Sequence, residues 1–425
     1  MTAWVGNTFA ALANRHFRIM WAGSFFSFVA FFMSTVVQAV LAFQLTGSNS
    51  AVGFVVFGQG IAQLMLGPFG GAMADRVSKK RLILFCQILS FSGFTALAFL
   101  VATDLINVAF LAAGAFVNGV SFSFLGPARQ AYVIELIEES RRGNAIAINQ
   151  VALNASRVIG PAIAGALLAI EFIGVTGAYI TMAAFYGVAM GSMLMIPGSP
   201  PPEGAGQRSV LGDIGEGLGY VASNPRLRTL VLFFVLVMMT GFPYITVLPG
   251  FVENQLGRDA TVVSIMLSVT AAGALIASMG VASLADSPRA LLIYSGMGIL
   301  FGVSLLLSAV SPGVIMAVIA MLLVGVGSGA FQTLNGAVII RESDPRYFGR
   351  VMSLTMLAFA AFGLMGLPIG FLADQLGERV TLGLMGVVVC TITIIITTIL
   401  VRLGAAAPKA ESESADPVGS AGGGQ

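Results

Sequence analysis

The sequence is short of charge. Of its 425 residues only 9% are Asp, Glu, Lys or Arg, against about 25% in a soluble globular chain. So little charge over that length excludes an ordinary soluble enzyme and a disordered chain. A net charge of +2 leaves no basic surface for nucleic acid and no field to draw an acidic partner. Histidine occurs once, as His16, so histidine-based catalysis and zinc binding fall away. The two cysteines, Cys86 and Cys390, each sit in an apolar run with no His or Cys nearby. That excludes a disulfide scaffold or a metal pattern and makes both small core hydrophobes. No Gly-rich loop is followed by Lys-Ser or Lys-Thr, so the chain carries no ATP-driven motor of its own. No His/Asp/Glu cluster or Ser–His pair suggests an enzyme, and no cofactor is expected.

What is present is apolar: 57% of residues are hydrophobic and the mean hydropathy is +0.94. A helix needs about 20 mostly apolar residues to cross the hydrocarbon core. Twelve such runs can be drawn, at 19–43, 50–74, 82–102, 106–128, 145–169, 173–196, 229–252, 261–284, 290–310, 312–334, 351–373 and 380–401. Eleven hold no charged residue, and the fifth holds Arg157. They are continuously apolar, without the alternation of a membrane β-barrel, and the 52 glycines suit close helix packing. The expected fold class is an all-α polytopic membrane protein with twelve transmembrane helices in two six-helix halves. With a cytoplasmic N-terminus, Arg258 and Arg379 fall outside and Arg157 within the membrane. The other 18 of the 21 lysines and arginines then fall inside, as the positive-inside rule requires. A multi-pass protein of the cell (inner) membrane with both termini cytoplasmic is expected.

The halves are expected at residues 1–197 and 229–402, with a linker at 198–228 and a disordered tail at 403–425. The linker opens with Pro197, Gly198, Pro200, Pro201 and Pro202 and continues with Val210, Ile214, Leu218 and Val221 at helical spacing. A short amphipathic helix on the inner membrane face is predicted. The halves are weakly alike: the second run ends Ala72-Met73-Ala74-Asp75 and the eighth Ser283-Leu284-Ala285-Asp286. A six-plus-six repeat places a transport site between the halves.

The loop Gly71-Ala72-Met73-Ala74-Asp75-Arg76-Val77-Ser78-Lys79-Lys80-Arg81 resembles the signature loop of the major facilitator superfamily, with Ser78 in place of a second Gly. The small residue lets helices touch and an Asp at a helix end suits a helix N-terminus or a base. Its bases, Arg76, Lys79, Lys80 and Arg81, are expected to anchor the loop to the inner leaflet. In the fifth run, Gly160-Pro161-Ala162-Ile163-Ala164-Gly165 is similar to the fifth-helix motif of exporters in that superfamily. Asn14-Arg15-His16-Phe17-Arg18 and the stretch from Gly217 to Leu227 add a resemblance to the subfamily that includes the enterobactin exporter.

The resemblance implies alternating access, a small-molecule substrate of drug or siderophore type, and a cavity lined by spans one, four, seven and ten. It implies an antiporter, with protons as the coupling ion, and a monomer in the lipid bilayer. Uptake of a small metabolite, or a scaffold that transports nothing, are the alternatives. The family's proton-linked Arg of the fourth span is missing from Phe116-Val117-Asn118-Gly119. The nearest carboxylates that could carry a proton are Glu135, Glu171 and Glu253.

Arg157 is expected to be the one ionisable group deep in the membrane, on the face that Gln150 and Asn154 share by i, i+4, i+7 spacing. A charge there costs roughly 3 kcal/mol on insertion scales and faces the protein interior or a water-filled cavity. It either attracts an anionic or carbonyl-rich substrate or hydrogen-bonds neighbouring helices. Gln38, Asn118, Asn154, Arg157, Tyr244 and Gln332 are the candidate cavity residues. The polar groups concentrate in the N-terminal half, which is expected to be the more polar wall.

Overall fold

The computed structural model describes residues 10–198, 210–282, 284, 287, 289–344 and 347–406. Among the described residues it consists of helices and short connections, with no strand. In hydrocarbon a helix satisfies its own backbone, which open strands cannot do. Twelve helical segments are long and apolar enough to cross a membrane. In the first half these are span one, Arg15–Thr46; two, Asn49–Arg76; three, Lys79–Ala102; four, Val108–Leu136; five, Arg142–Leu168; and six, Gly174–Leu194. In the second they are span seven, Pro225–Gln255; eight, Ala260–Ala282; nine, Ala290–Ala309; ten, Val314–Glu342; eleven, Phe348–Leu376; and twelve, Glu378–Ala406. We call the end that carries Arg15 and Arg402 the basic end and the opposite one the far end.

Local chemistry sets the starts and stops. Asn14 caps span one by accepting from the amides of His16 and Phe17 at 2.9 and 3.1 Å. Its Nδ2 also donates to the Leu136 carbonyl at 3.0 Å, joining the start of span one to the end of span four. Gly47, at φ 65°, stops span one in the left-handed conformation glycine tolerates. Asn107 caps span four. Asn224 caps span seven, with Pro225 at its first turn, where a missing amide costs nothing.

Three expectations change. The seventh run, read as one helix, is broken: helix Pro225–Thr240, a turn, helix Tyr244–Gly250, then a π turn Phe251–Gln255. Pro243, at the turn, and Pro249, inside the second piece, lack the amide that an unbroken helix needs. The last helix runs to Ala406, past the tail boundary at 403. Residues 407–425 lie outside the described residues, as do 199–209 of the linker and the side chains of Ser283, Ala285 and Asp286. The spans also run beyond their apolar runs. Span four continues past Ala128 and encloses Arg129, which is 1% exposed, so Arg157 is not the only cation deep in the protein.

The linker holds a helix, Val210–Ser223. It packs on span eleven and reaches span two. Tyr220 stacks on Tyr347 with ring centroids 4.2 Å apart and planes 4° from parallel, and its hydroxyl accepts from the Asp344 amide at 2.8 Å. Just beyond this helix, Arg226 of span seven pairs with Glu342 of span ten at 3.1 Å. The helix is therefore docked on the second half as well as amphipathic.

The halves meet through glycine. A Cβ on Gly60 of span two would lie 2.6 Å from the Cα and carbonyl carbon of Gly363 in span eleven. A Cβ on Gly53 would run into the Gly366 carbonyl oxygen, and one on Gly370 into that of Asn49. Lipid tails are as apolar as leucine, so helices here associate by close packing, which small residues permit. All these approaches lie in the far half of the two helices.

Candidate functional site

The signature loop occupies the basic end between spans two and three. Span two ends at Arg76 and span three begins at Lys79, leaving Val77 and Ser78 as the whole connection. The side chains of Gly71 and Asp75 lie outside the described residues. Arg76 and Arg81 are exposed. Lys79 and Lys80 make contacts within the protein. Lys79 pairs with Glu135 of span four at 2.5 Å and is 7% exposed. Lys80 donates to the carbonyls of Leu194, the last residue of span six, and of Ile196 beyond it. Span three thus starts on two fixed charges, and Glu135 is held in an ion pair. Glu171 and Glu253 are exposed.

The fifth-span motif has two contact faces. A Cβ on Gly160 would lie 2.7 Å from Phe32 Cβ and 3.0 Å from the Val29 carbonyl oxygen of span one. Pro161 is buried beside it. One turn further, a Cβ on Gly165 would meet Ser264 of span eight. The motif packs span five on its own half at Gly160 and on the other half at Gly165.

Arg157 stands three residues before Gly160. Its guanidinium carbon is 5.6 Å from the centre of the Phe32 ring, a cation–π distance, and its Nε has no hydrogen-bond partner among the described residues. Beside Phe32 in span one, Phe31 stacks on Phe122 of span four at 4.3 Å. Asn118, 2% exposed, donates from Nδ2 to Ser34 Oγ at 3.0 Å, while its Oδ1 is unpartnered. Gln38 is 3% exposed with an unpartnered Nε2. Asn154 is half-buried and Gln150 exposed. Span one thus meets Arg157 of span five through Phe32 and Asn118 of span four through Ser34, with Gln38 one turn beyond Ser34.

The second half differs. Tyr244 is 5% exposed and begins the second piece of span seven, placed there by the break at Pro243. Gln332 is half-buried. Its neighbour Asn335 is taken by the Tyr294 hydroxyl at 3.0 Å; Tyr294 stacks on Phe331 at 4.5 Å, and Phe233 meets both rings edge-on at 5.0 and 5.2 Å. Buried polar atoms lacking a partner include Ser121 Oγ and Asn149 Oδ1, beside those of Gln38, Asn118 and Arg157, in the first half. In the spans of the second half they are Arg226 Nε, Thr246 Oγ1 and Ser268 Oγ, among the described residues. A buried donor or acceptor left unmade costs about 1–3 kcal/mol, so the first-half wall holds unspent hydrogen-bonding capacity.

Arg129 is the residue that sequence reasoning missed. It donates to Ser27 Oγ and lies 4.7 Å over the Phe28 ring, with Nε and Nη1 unpartnered. Ending the fourth run at the first charge placed it in a loop. The apolar residues Ala131, Tyr132, Val133, Ile134 and Leu136 beyond it were the signal that the helix went on past Pro127.

Twelve apolar spans make this a multi-pass membrane protein, and the family it belongs to makes it a transporter of small molecules and not an enzyme. The chain belongs to the Major Facilitator Superfamily, whose model matches residues 20–366. It is 26% identical over 359 residues to the staphyloferrin A transporter of Staphylococcus aureus (strain NCTC 8325 / PS 47), covering 83% of this chain and 89% of that one. It is 22% identical over 398 residues to macrolide efflux protein A of Streptococcus pyogenes, covering 89% and 94%. In fold it is similar to a bacterial homolog of the human lysosomal transporter Spinster, in an inward-facing and unoccupied conformation. The TM-score is 0.72 at 14% identity, covering 91% of this chain and 98% of that one.

Proposed function

We propose that the protein exports small molecules from the cytoplasm by alternating access, with the basic end cytoplasmic and protons as the coupling ion. The observation that carries the site is the Arg157 guanidinium: a mid-span cation over the Phe32 ring whose Nε has no partner among the described residues. Such a site suits an amphipathic solute with an anionic or carbonyl-rich group, held by the fork of donors and flanked by aromatic faces. The direction is supported by a relative named as a macrolide efflux protein. The signature loop at Asp75 is the element that governs switching between the two faces. Both termini lie in the cytoplasm, where 18 of the 21 basic residues gather.

The test is accumulation of candidate substrates, siderophore-like and macrolide-like, in cells with and without the gene, each with and without a proton uncoupler. Export predicts lower accumulation with the gene and loss of that difference with the uncoupler. Higher accumulation with the gene would mean uptake and overturn the direction.

A further inference from the structure

Span two does not cap itself. Its N-cap residue, Ser48, shares a hydrogen bond with the Ser50 hydroxyl at 2.7 Å but accepts from no amide of the first turn, and that turn holds no acid. The cap comes from the other half of the molecule. Asp374, in the last turn of span eleven, accepts from the Asn49 amide at 2.7 Å and the Ser50 amide at 2.9 Å. It also accepts from Ser48 Oγ at 2.6 Å. A carboxylate on orphan amides at a helix N-terminus is the favourable arrangement for both hydrogen bonding and the helix dipole. Here it is made between two helices that alternating access must separate.

A second carboxylate stands beside it. Glu378, the first residue of span twelve, is 4% exposed and accepts from Asn49 Nδ2 at 3.1 Å, Asn254 Nδ2 at 2.6 Å and Gln255 Nε2 at 3.0 Å. One of these donors belongs to span two and the others to the end of span seven. Arg379, the nearest base in sequence, is turned to the carbonyls of Ala309 and Ser311, both at 2.8 Å, and to Gln255 Oε1 at 3.2 Å. Both carboxylates thus spend acceptors on Asn49 and its neighbours, at the far end of the glycine seam. The sequence marks the place: span eleven ends Gly370-Phe371-Leu372-Ala373-Asp374, as span two ends Gly71-Ala72-Met73-Ala74-Asp75 at the opposite face.

We propose that Asp374 and Glu378 form the latch that shuts the far side, by capping span two across the boundary between the halves. When the far side opens, span two loses its cap and Glu378 loses one of its three donors, so the latch favours the shut state. The proposal rests on the alternating-access reading above.

The experiment is double electron–electron resonance on the full chain in nanodiscs. Spin labels replace Asp104 and Asp259, exposed far-end residues of the two halves, on a background with Cys86 and Cys390 replaced. Asp374→Ala and Asp374→Asn should raise the population of the long, far-open distance about 2- to 30-fold, the range of measured N-cap losses, and Asp374→Glu should restore part of the shut population. Ser48→Ala, which removes one bond and keeps the backbone cap, should give a smaller shift in the same direction and serves if the Asp374 variants fold poorly. Glu378→Gln should shift it likewise. Gly60→Ala, which wedges the seam open by sterics alone, is the reference. If Gly60→Ala shifts the distances and the Asp374, Ser48 and Glu378 variants do not, the latch is refuted while alternating access stands. If no variant moves the distances, alternating access itself fails, and the latch with it.

Discussion

A single methyl group at Gly60 should change which face of the protein is open. The Cβ of Gly60→Ala would lie 2.6 Å from two backbone atoms of Gly363, where ordinary contact between such atoms begins near 3.4 Å. No rotamer relieves a clash with backbone, so spans two and eleven must part. Overpacking of this kind costs about 1–3 kcal/mol. The far-open state, in which the two helices separate, does not bear that cost. The ratio of far-open to far-shut molecules should therefore rise about 5- to 150-fold. Labels at Asp104 and Asp259 report it as a longer distance population, and the transport rate should fall with it. Gly67→Ala is the control. Gly67 lies in the same helix, and a Cβ there would have no neighbouring atom within 4 Å. Alanine is also the better helix former by about 1 kcal/mol, so distances and transport should stay as they are. If Gly60→Ala left both the distance distribution and the rate unchanged, the seam would not be the surface that opens.

Three further expectations follow from the basic end. Cysteine introduced at Asp104 or Arg258 should react with an impermeant reagent in intact cells, and cysteine at Lys80 should not; labelling at Lys80 would reverse the topology. Asp75→Asn should lower transport on matched amounts of membrane protein while leaving expression near that of the parent, and undiminished transport would leave the signature loop with no role in switching. In a double-mutant cycle, Lys79→Met and Glu135→Gln should couple by about 1 kcal/mol in thermal stability, the upper end for partly exposed pairs. Additive effects would mean that the 2.5 Å contact contributes nothing to the fold.

Much of the architecture was readable because the bilayer imposes it. Length and hydropathy alone separate twelve spans, and the apolar spacing of Val210, Ile214, Leu218 and Val221 marks the helix that the linker contains. Legibility ended where a helix outruns its apolar stretch. Arg129 and Lys79 were counted as loop charges because a charge closed each run, yet both are helical and buried. The break in span seven was written in Pro243 but was hidden by unbroken hydrophobicity on either side. Asp374 and Glu378 read as far-end loop charges, since only tertiary packing brings Asn49 to them. The candidate wall was legible in part. Polar residues in the first half pointed to it, but hydropathy could not tell Asn118, left with a free acceptor, from Asn335, which Tyr294 satisfies.

The most direct measurement is transport in proteoliposomes by matched amounts of folded protein, for one anionic and one neutral substrate, with Arg157 intact, as Arg157→Lys and as Arg157→Ala. The guanidinium over Phe32 offers a forked set of donors that lysine cannot reproduce. Arg157→Lys should therefore weaken the apparent affinity for the anion roughly tenfold, the effect of about 1.4 kcal/mol, and Arg157→Ala should abolish its transport. The neutral substrate should be carried by all three. An equal loss for both substrates would show that Arg157 holds helices together and does not meet the solute.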